Sequence, residues 1–385
     1  MKFITLFSGI GMQEEGMERV LPKIELVNFC EYDIKIGKCF EYIHNEPSKK
    51  NLGDITKLNM DEYYKKLKDE GNSDIDLIIS SFPCQSFSIA GKKKGFECPK
   101  NGNLFDKSYE MIEKILPKIV IFENVKNITS KKFNAIEKIT EKMERIGYKC
   151  SHKILNGKDY GIPQNRERWF MVCIRHYEGQ FQFPSAIPLQ SFVKDFLETD
   201  SQNRQVTKKL IPYFQDEYKK NYGSKNGLIK LFDGCSQFPE TFTGGFTASR
   251  IYSINGCTPT FTTANDCHFW EIKGKLSAKE RWRLMGLDDK DYDILKKNKI
   301  SDSLIHKICG NGIIVNVFEH LFKSVMEQKD DKKIEPSWKN QFHPKMKIKE
   351  LRSFIQKHQL RNYKNQPIKG QSKKKILEQL QKLIN

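Results

Sequence analysis

The sequence predicts an α/β protein built on a doubly wound, mostly parallel sheet, with a smaller loop-rich domain and a small helical C-terminal module. Three observations predict it. Short β-branched runs alternate with amphipathic stretches through the first 175 residues, the rhythm of a parallel sheet wrapped by helices. Two of these runs, Asp76–Ser80 and Ile119–Phe122, are apolar on both faces, as strands covered on both sides must be. Periodicity then fails from about Arg175 to Lys275 and returns afterwards.

Along the chain, Lys2–Phe7 reads as a strand and Met12–Val20 as a helix after a glycine turn. Ile24–Cys30 is a second strand, followed by a helix over Ile34–Tyr42. The buried strands Asp76–Ser80 and Ile119–Phe122 are flanked by helical patterns at Asp106–Leu116 and Lys132–Ile146. The stretch 176–275 is dominated by Gly, Ser, Thr, Asn, Phe and Tyr and reads as a separate loop-rich region. Ser277–Met285 and Gly312–Met326 return to helix, the second with Ile313, Ile314, Val317, Phe318, Leu321 and Val325 on one face. The domain reading is therefore 1–175 with 276–328, then 176–275, a charged linker over 329–345, and 346–385. The last unit holds two short amphipathic helices, one presenting Ile348, Leu351, Phe354 and Ile355, the other Ile376, Leu377, Leu380, Leu383 and Ile384, joined by a turn at Asn362–Gly370.

A chain of 385 residues is long enough for two or three domains, and 38% hydrophobic with 11% aromatic residues fits a folded enzyme. The net charge of +18 points to a polyanionic partner, nucleic acid first. The charge is uneven: residues 329–385 hold 16 Lys and Arg against 5 Asp and Glu. None of the ten cysteines forms a Cys-x-x-Cys pair, and their spacings suggest no metal site. The N-terminal apolar run is too short for a signal peptide, and no stretch approaches a membrane span. These features predict a cytoplasmic protein with reduced thiols and no membrane partner.

Four segments carry chemistry. Phe7-Ser8-Gly9-Ile10-Gly11 follows the first strand, where glycines let backbone approach a ligand; an ordinary strand–helix turn reads the same way. Glu31 ends the second strand, either as a ribose-binding carboxylate or as a solvated one, and Asp54 ends the next extended stretch, where it could accept from an adenine amino group. Cys84, in Ser81-Phe82-Pro83-Cys84-Gln85-Ser86, follows a buried strand at the carboxyl edge of the sheet, where catalytic loops gather. An ordinary thiol is only a few per cent thiolate at neutral pH, so nucleophilic work there needs positive charge or proton transfer nearby. Glu123, in Glu123-Asn124-Val125, ends the neighbouring strand and would enter the same cleft. Arg166 and Arg168, at i and i+2 in Gln164-Asn165-Arg166-Glu167-Arg168, would share a face if the segment is extended, and could reach a base carbonyl and a phosphate.

In this order, these segments resemble the motifs of the C5-cytosine DNA methyltransferases of bacterial, phage and restriction-modification type. The resemblance runs from residue 2 to about 326 and includes Asn103-Leu104-Phe105, Thr258-Pro259-Thr260, the stretch Leu276–Gly286 and Gly310-Asn311-Gly312-Ile313-Ile314-Val315-Asn316. It implies the Rossmann-like fold of S-adenosylmethionine-dependent methyltransferases, with Phe7, Gly9, Gly11, Glu31, Tyr32, Asp54, Ile55, Pro83, Leu104, Asn311 and Val315 lining the S-adenosylmethionine site. It also implies that Cys84 adds to C6 of a flipped cytosine, that Glu123 stabilises the charge this places on the ring, and that Arg166 and Arg168 hold O2 and position the loop. Residues 176–275 fall where the family keeps its target-recognition region. The implied partners are double-stranded DNA and a cognate restriction endonuclease, with the chain acting as a monomer. Three departures stand out: Met12 where a further glycine is common, Gly312 where Ser is usual, and a Gly91–Asn103 loop with Lys92, Lys93, Lys94 and Lys100 but no Arg before Gly102.

Two other readings remain at this point. One is an RNA cytosine methyltransferase similar to the tRNA-acting branch, against which a recognition region of about 100 residues speaks. The other is an inactive DNA-binding homologue, against which the intact Cys84, Glu123, Arg166 and Arg168 speak. The C-terminal helix pair loosely resembles SAP-like DNA-binding modules; a hairpin packed on the main domain is the alternative.

Overall fold

The computed structural model describes residues 1–83, 102–177, 179–199, 204–220, 222–243, 247–263, 267–328, 346–357 and 372–384. Cys84, the 91–101 part of its loop, the linker 329–345 and the turn Asn362–Gly370 lie outside them.

Six strands form the main sheet: β1 (Lys2–Leu6), β2 (Glu25–Cys30), β3 (Leu77–Ser80), β4 (Ile119–Val125), β5 (Tyr148–Asn156) and, after the short β6 (Gln164–Asn165), β7 (Glu167–Arg175). Their order is β2-β1-β3-β4-β7-β5. The first four are parallel; β7 runs antiparallel to both its neighbours. Side chains alternate between two buried faces. Phe3, Leu77, Ile79, Ile119, Ile121, Phe170 and Val172 meet one set of helices, α1 (Met12–Val20), α2 (Ile34–His44) and α10 (Val315–Gln328). Ile4, Leu6, Ile78, Val120, Phe122 and Met171 meet the other, α3 (Met60–Asp69), α4 (Gly102–Ile115) and α5 (Ala135–Arg145). This double burial is why β3 and β4 carry no polar alternation.

The doubly wound expectation therefore holds, with differences. The structure adds β5, β7 and α3, and also α8 (Asp289–Lys297) and α9 (Asp302–Asn311). The helix expected over Ser277–Met285 is present as α7 (Ala278–Arg283), capped by the Ser277 hydroxyl. The helix expected from Gly312 starts at Val315, because α9 ends at Asn311 and Gly312 is extended. The region expected to be loop-rich contains a four-stranded sheet of β8 (Ser224–Lys225), β9 (Leu228–Asp233), β10 (Arg250–Tyr252) and β12 (His268–Phe269), with a one-turn helix, α6 (Gly234–Gln237), after β9. A further short strand, β11 (Thr258–Pro259), pairs with β6. The region's own small core comprises Leu210, Phe232, Phe242 and Ile251, while Phe181, Val193, Tyr252, Phe261 and Phe269 join the main core. All of these strands but β9 have two or three residues, too short to show a period, which is why the sequence does not reveal them.

Two close approaches close the fold. Gly16 lets α1 meet the start of α10: an added Cβ would lie 3.0 Å from the Val315 carbonyl oxygen and from the Glu319 nitrogen. A Cβ on Gly312 would collide with Sδ of the buried Met12. The two departures from the family pattern, a large residue at 12 and none at 312, thus touch each other. Nearby, Arg166 is 1% exposed and lies between β6 and β7. It donates to the carbonyls of Phe261 (3.0 Å), Gly310 (2.8 Å) and Gly312 (3.1 Å from Nε).

Arg166→Met strips these three carbonyls of a charged donor. At about 1–3 kcal/mol for each buried acceptor left unpaired, urea unfolding should show a loss of at least about 3 kcal/mol; a loss below about 1 kcal/mol would show the tie to be minor. Gly312→Ser should destabilise by about 1–3 kcal/mol through overpacking against Met12. The double variant Met12→Gly/Gly312→Ser should recover most of that loss, and strictly additive effects in the double-mutant cycle would show the two positions to be independent.

Candidate functional site

Because β1 to β4 are parallel, their carboxyl ends share one edge, bringing Phe7, Glu31, Ser81 and Glu123 together from segments far apart in the chain. The antiparallel β7 contributes its beginning to that edge, with Arg168 paired to Val125 and Phe170 to Glu123. Arg168 and Glu123 are diagonal on one face, and their Nε–Oε1 separation is 3.4 Å. Glu123 is 8% exposed, and burial pushes its carboxyl above the usual carboxylate range; Arg168, Arg166 and the Ser81 hydroxyl pull it back. Asn124 donates to the Phe82 carbonyl at 3.0 Å, fixing the start of the segment that leads through the half-buried Pro83 to Cys84.

The structure separates the two arginines that alternation placed on one face. Arg166 interrupts the strand between Asn165 and Glu167, its N–H bonded to Asn156 Oδ1 and the Gln164 carbonyl, so its guanidinium turns into the core. Its donors go to main-chain carbonyls, and it is Arg168 that pairs with Glu123 at the edge, while Arg166 acts on that carboxyl from farther away. Gln164 is equally internal, donating to the Leu284 carbonyl and accepting from Phe261 N–H.

At the other end of the edge, the β1–α1 turn holds Phe7, Gly9 and Gly11 in left-handed backbone, at φ 57°, 59° and 85°. Gly11 also permits close packing, since a Cβ there would meet His44 and Phe40. Glu31 accepts from Gly9 N–H (3.1 Å) and Asp33 N–H (2.8 Å), so the carboxylate is anchored to the turn it faces. Tyr32 and Ile34 are 76% and 79% exposed, large apolar surfaces beside a strand-end carboxylate. An anchored carboxylate for hydroxyls, beside an uncovered apolar face for a planar base, is a donor set that fits the nucleoside half of S-adenosylmethionine. Asp54 caps a 3₁₀ turn through Thr56, and Ile55 is buried beneath it. Leu104 is half-buried in α4 and Asn311 is exposed at the end of α9. Val315 is fully buried with its N–H on the Met285 carbonyl.

Sequence reasoning missed one site residue on this edge. Gln13, on α1, is 4% exposed and donates to Ser81 Oγ at 2.7 Å. The available signal was a polar residue on the inward side of an amphipathic helix.

Comparison with known proteins agrees with this geometry. The family model for C-5 cytosine-specific DNA methylases matches residues 1–327. The type II methyltransferase M.HhaI of Haemophilus parahaemolyticus is 32% identical over 336 residues, covering 83% of this chain and 93% of its own. The orphan methyltransferase M.SPRI of Bacillus phage SPR is 31% identical over 291 residues, covering 68% of this chain and 64% of its own. In fold, the crystal structure of the S. pombe Dnmt2 methyltransferase is similar with a TM-score of 0.62 at 18% identity, over 86% of this chain and 99% of that one. The chain belongs to the C-5 cytosine-specific DNA methylases, whose methyl donor is S-adenosylmethionine.

Proposed function

We propose that Cys84, Glu123 and Arg168 carry the methyl transfer to C5 of cytosine, with Arg166 holding the site together from beneath. The observation that carries this reading is the Glu123–Arg168 pair at the strand end beside the segment leading to Cys84. S-adenosylmethionine, when bound, supplies an electrophilic methyl group. Gly9, Gly11, Glu31 and Tyr32 would hold its nucleoside part, with Phe7, Asp54, Ile55, Pro83, Leu104, Asn311 and Val315 around it. The target cytosine leaves the duplex at a cost of a few kcal/mol. Cys84 forms a bond to C6, and the electron pair displaced into the ring is stabilised by Glu123, whose raised proton affinity lets it share a proton with N3. Arg168 balances Glu123 and faces O2. Carbon 5, made nucleophilic, takes the methyl group; a base removes its proton, and the Cys84–C6 bond breaks. The alternatives, an RNA methyltransferase or an inactive homologue, are not favoured by a match to DNA methylases over residues 1–327.

We extend the proposal to the partners. The chain acts on double-stranded DNA as a cytoplasmic monomer, paired with an endonuclease of the same specificity, as the type II name of one relative suggests for that protein. No helix among the described residues is long and apolar enough to cross a membrane. Residues 176–275 read the target, and 346–385 form a SAP-like anchor joined by 329–345 to the catalytic unit of 1–175 and 276–328. In support of the anchor, the helices Ile348–Lys357 and Lys373–Ile384 bury Leu351, Phe354, Ile355 and Ile376, and residues 346–385 hold 11 Lys and Arg against 2 Asp and Glu.

Methyl transfer from tritiated cofactor to duplex DNA tests the chemistry. Cys84→Ser should abolish turnover with cofactor affinity intact; a rate near wild type would remove Cys84 as nucleophile. Glu123→Gln should lower kcat by about 10²–10³-fold, on the scale of losing one preorganised charge stabiliser. The protonated carboxyl is the working form and its proton affinity is raised, so activity persists to higher pH than for an ordinary Glu and then falls. That alkaline limb should vanish in Glu123→Gln, and a limb that stays would assign it to another group. Deleting residues 330–385 should weaken non-specific DNA binding and flatten the slope of log affinity against log salt by about 0.9 for each phosphate the shortened chain no longer neutralises; an unchanged slope would exclude an anchoring role.

A further inference from the structure

Gln13, Ser81, Glu123 and Arg168 come from α1, the end of β3, β4 and β7, yet all lie on one face of the sheet. Ser80 pairs with Phe122, which sets Ser81 beside Glu123, and both continue the parity of Ile79 and Ile121, whose side chains face α1. We propose that Gln13 and Ser81 form a positioning relay that fixes the orientation and the protonation state of Glu123. The proposal rests on the reading of Glu123 as the group that stabilises the cytosine ring, and adds two residues acting through it.

The relay follows from donors and acceptors. A side-chain amide offers N–H donors, and that of Gln13 donates to Ser81 Oγ at 2.7 Å. A serine hydroxyl has a single proton. With an oxygen lone pair occupied by the amide, that proton is left to turn toward Glu123, the neighbour of Ser81 across the β3–β4 register, and there it would favour the carboxylate. Arg168 approaches from the opposite strand, its Nε 3.4 Å from Oε1. Glu123 thus stands between the Ser81 side chain and the Arg168 guanidinium, which limits the rotational freedom a strand-end carboxyl otherwise keeps. The charged and polar groups facing it are Arg168 from β7, Arg166 from the segment before β7, and Ser81 from the end of β3, with Gln13 one step behind.

The relay has a defined electrostatic sense. Burial favours the neutral carboxyl; the hydroxyl and the two guanidiniums favour the carboxylate. Reversing the hydroxyl would leave the same atoms in place but point an oxygen lone pair at a carboxylate. With its nitrogen turned to Ser81, the amide of Gln13 opposes this, because that nitrogen can only donate. Gln13 also stands two residues beyond Gly11 of the cofactor turn, and Ser81 three residues before Cys84, so the relay links three working segments through one face.

The test uses the full chain with carbon-13 carboxyl labelling of glutamate, the Glu123 resonance being identified by its loss in Glu123→Gln. Ser81→Ala should raise the Glu123 titration midpoint by about 0.5–1 pH unit, the usual scale for losing one hydrogen bond to the charged form. The alkaline limb of kcat should move up by the same amount, with the KM for S-adenosylmethionine unchanged. Gln13→Glu should act in the same direction, because its carboxylate takes the Ser81 proton away from Glu123. Ser81→Thr, which keeps the hydroxyl, should restore the wild-type midpoint. An unmoved midpoint in both Ser81→Ala and Gln13→Glu overturns the relay. A midpoint that moves as expected while Glu123→Gln keeps full activity supports the relay and overturns only the role assigned to Glu123.

Discussion

The direction of β7 is the constraint on which the site depends. Four parallel strands deliver their carboxyl ends to one edge, but a parallel sheet can supply only carboxyl ends there. Arg168 stands near the start of its strand, so it reaches that edge because β7 runs the other way. β7 does so between β4 and β5, and its register with β4 puts Arg168 diagonal to Glu123. A shift of one residue would send Arg168 to the α4–α5 face and leave the buried Glu123 without its ion-pair partner.

The same stretch shows why local breaks matter as much as register. Arg166 lies outside the regular strand, and that irregularity is what allows its guanidinium to enter the core. There it joins three parts of the chain: the sheet, the Thr258–Phe261 segment at the end of the 176–275 region, and the Gly310–Gly312 end of α9 that leads toward α10. A planar guanidinium spreads five N–H donors over a fixed fork and so can hold three converging backbones, where an ammonium offers three donors from one point.

Much of this was legible in the sequence, for identifiable reasons. β3 and β4 could be read because double burial removes their polar positions, and Glu123 could be placed because it directly follows such a run. Glu31 was legible as a strand-end acid, and the structure ties it to the glycine turn. The two arginines were not separable, because alternation assumes an unbroken strand and nothing in Gln164–Arg168 announces the break. The four-stranded sheet within 176–275 was hidden because all its strands but β9 have two or three residues, and because aromatic packing joins distant residues, such as Tyr213 with Phe232 and Phe242. Gln13 was hidden because a polar side chain in a helix reads as solvated until its neighbour from another strand is known.

Met12 and Gly312 carry this further. Taken singly along the sequence, each looks like a small loss: a bulky side chain in a glycine turn, and a missing hydroxyl near the cofactor. In space they are one feature, because Met12 fills the volume that a side chain at 312 would need. Interiors pack at crystal-like density, so a volume gained at one of two touching positions has to be given up at the other. The two departures therefore leave the edge intact: Gly9 and Gly11 keep their left-handed backbone, and the Gly312 carbonyl still receives Arg166. The space between the first turn and the last motif is therefore set by the pair, with Met12 occupying the volume beside Gly312.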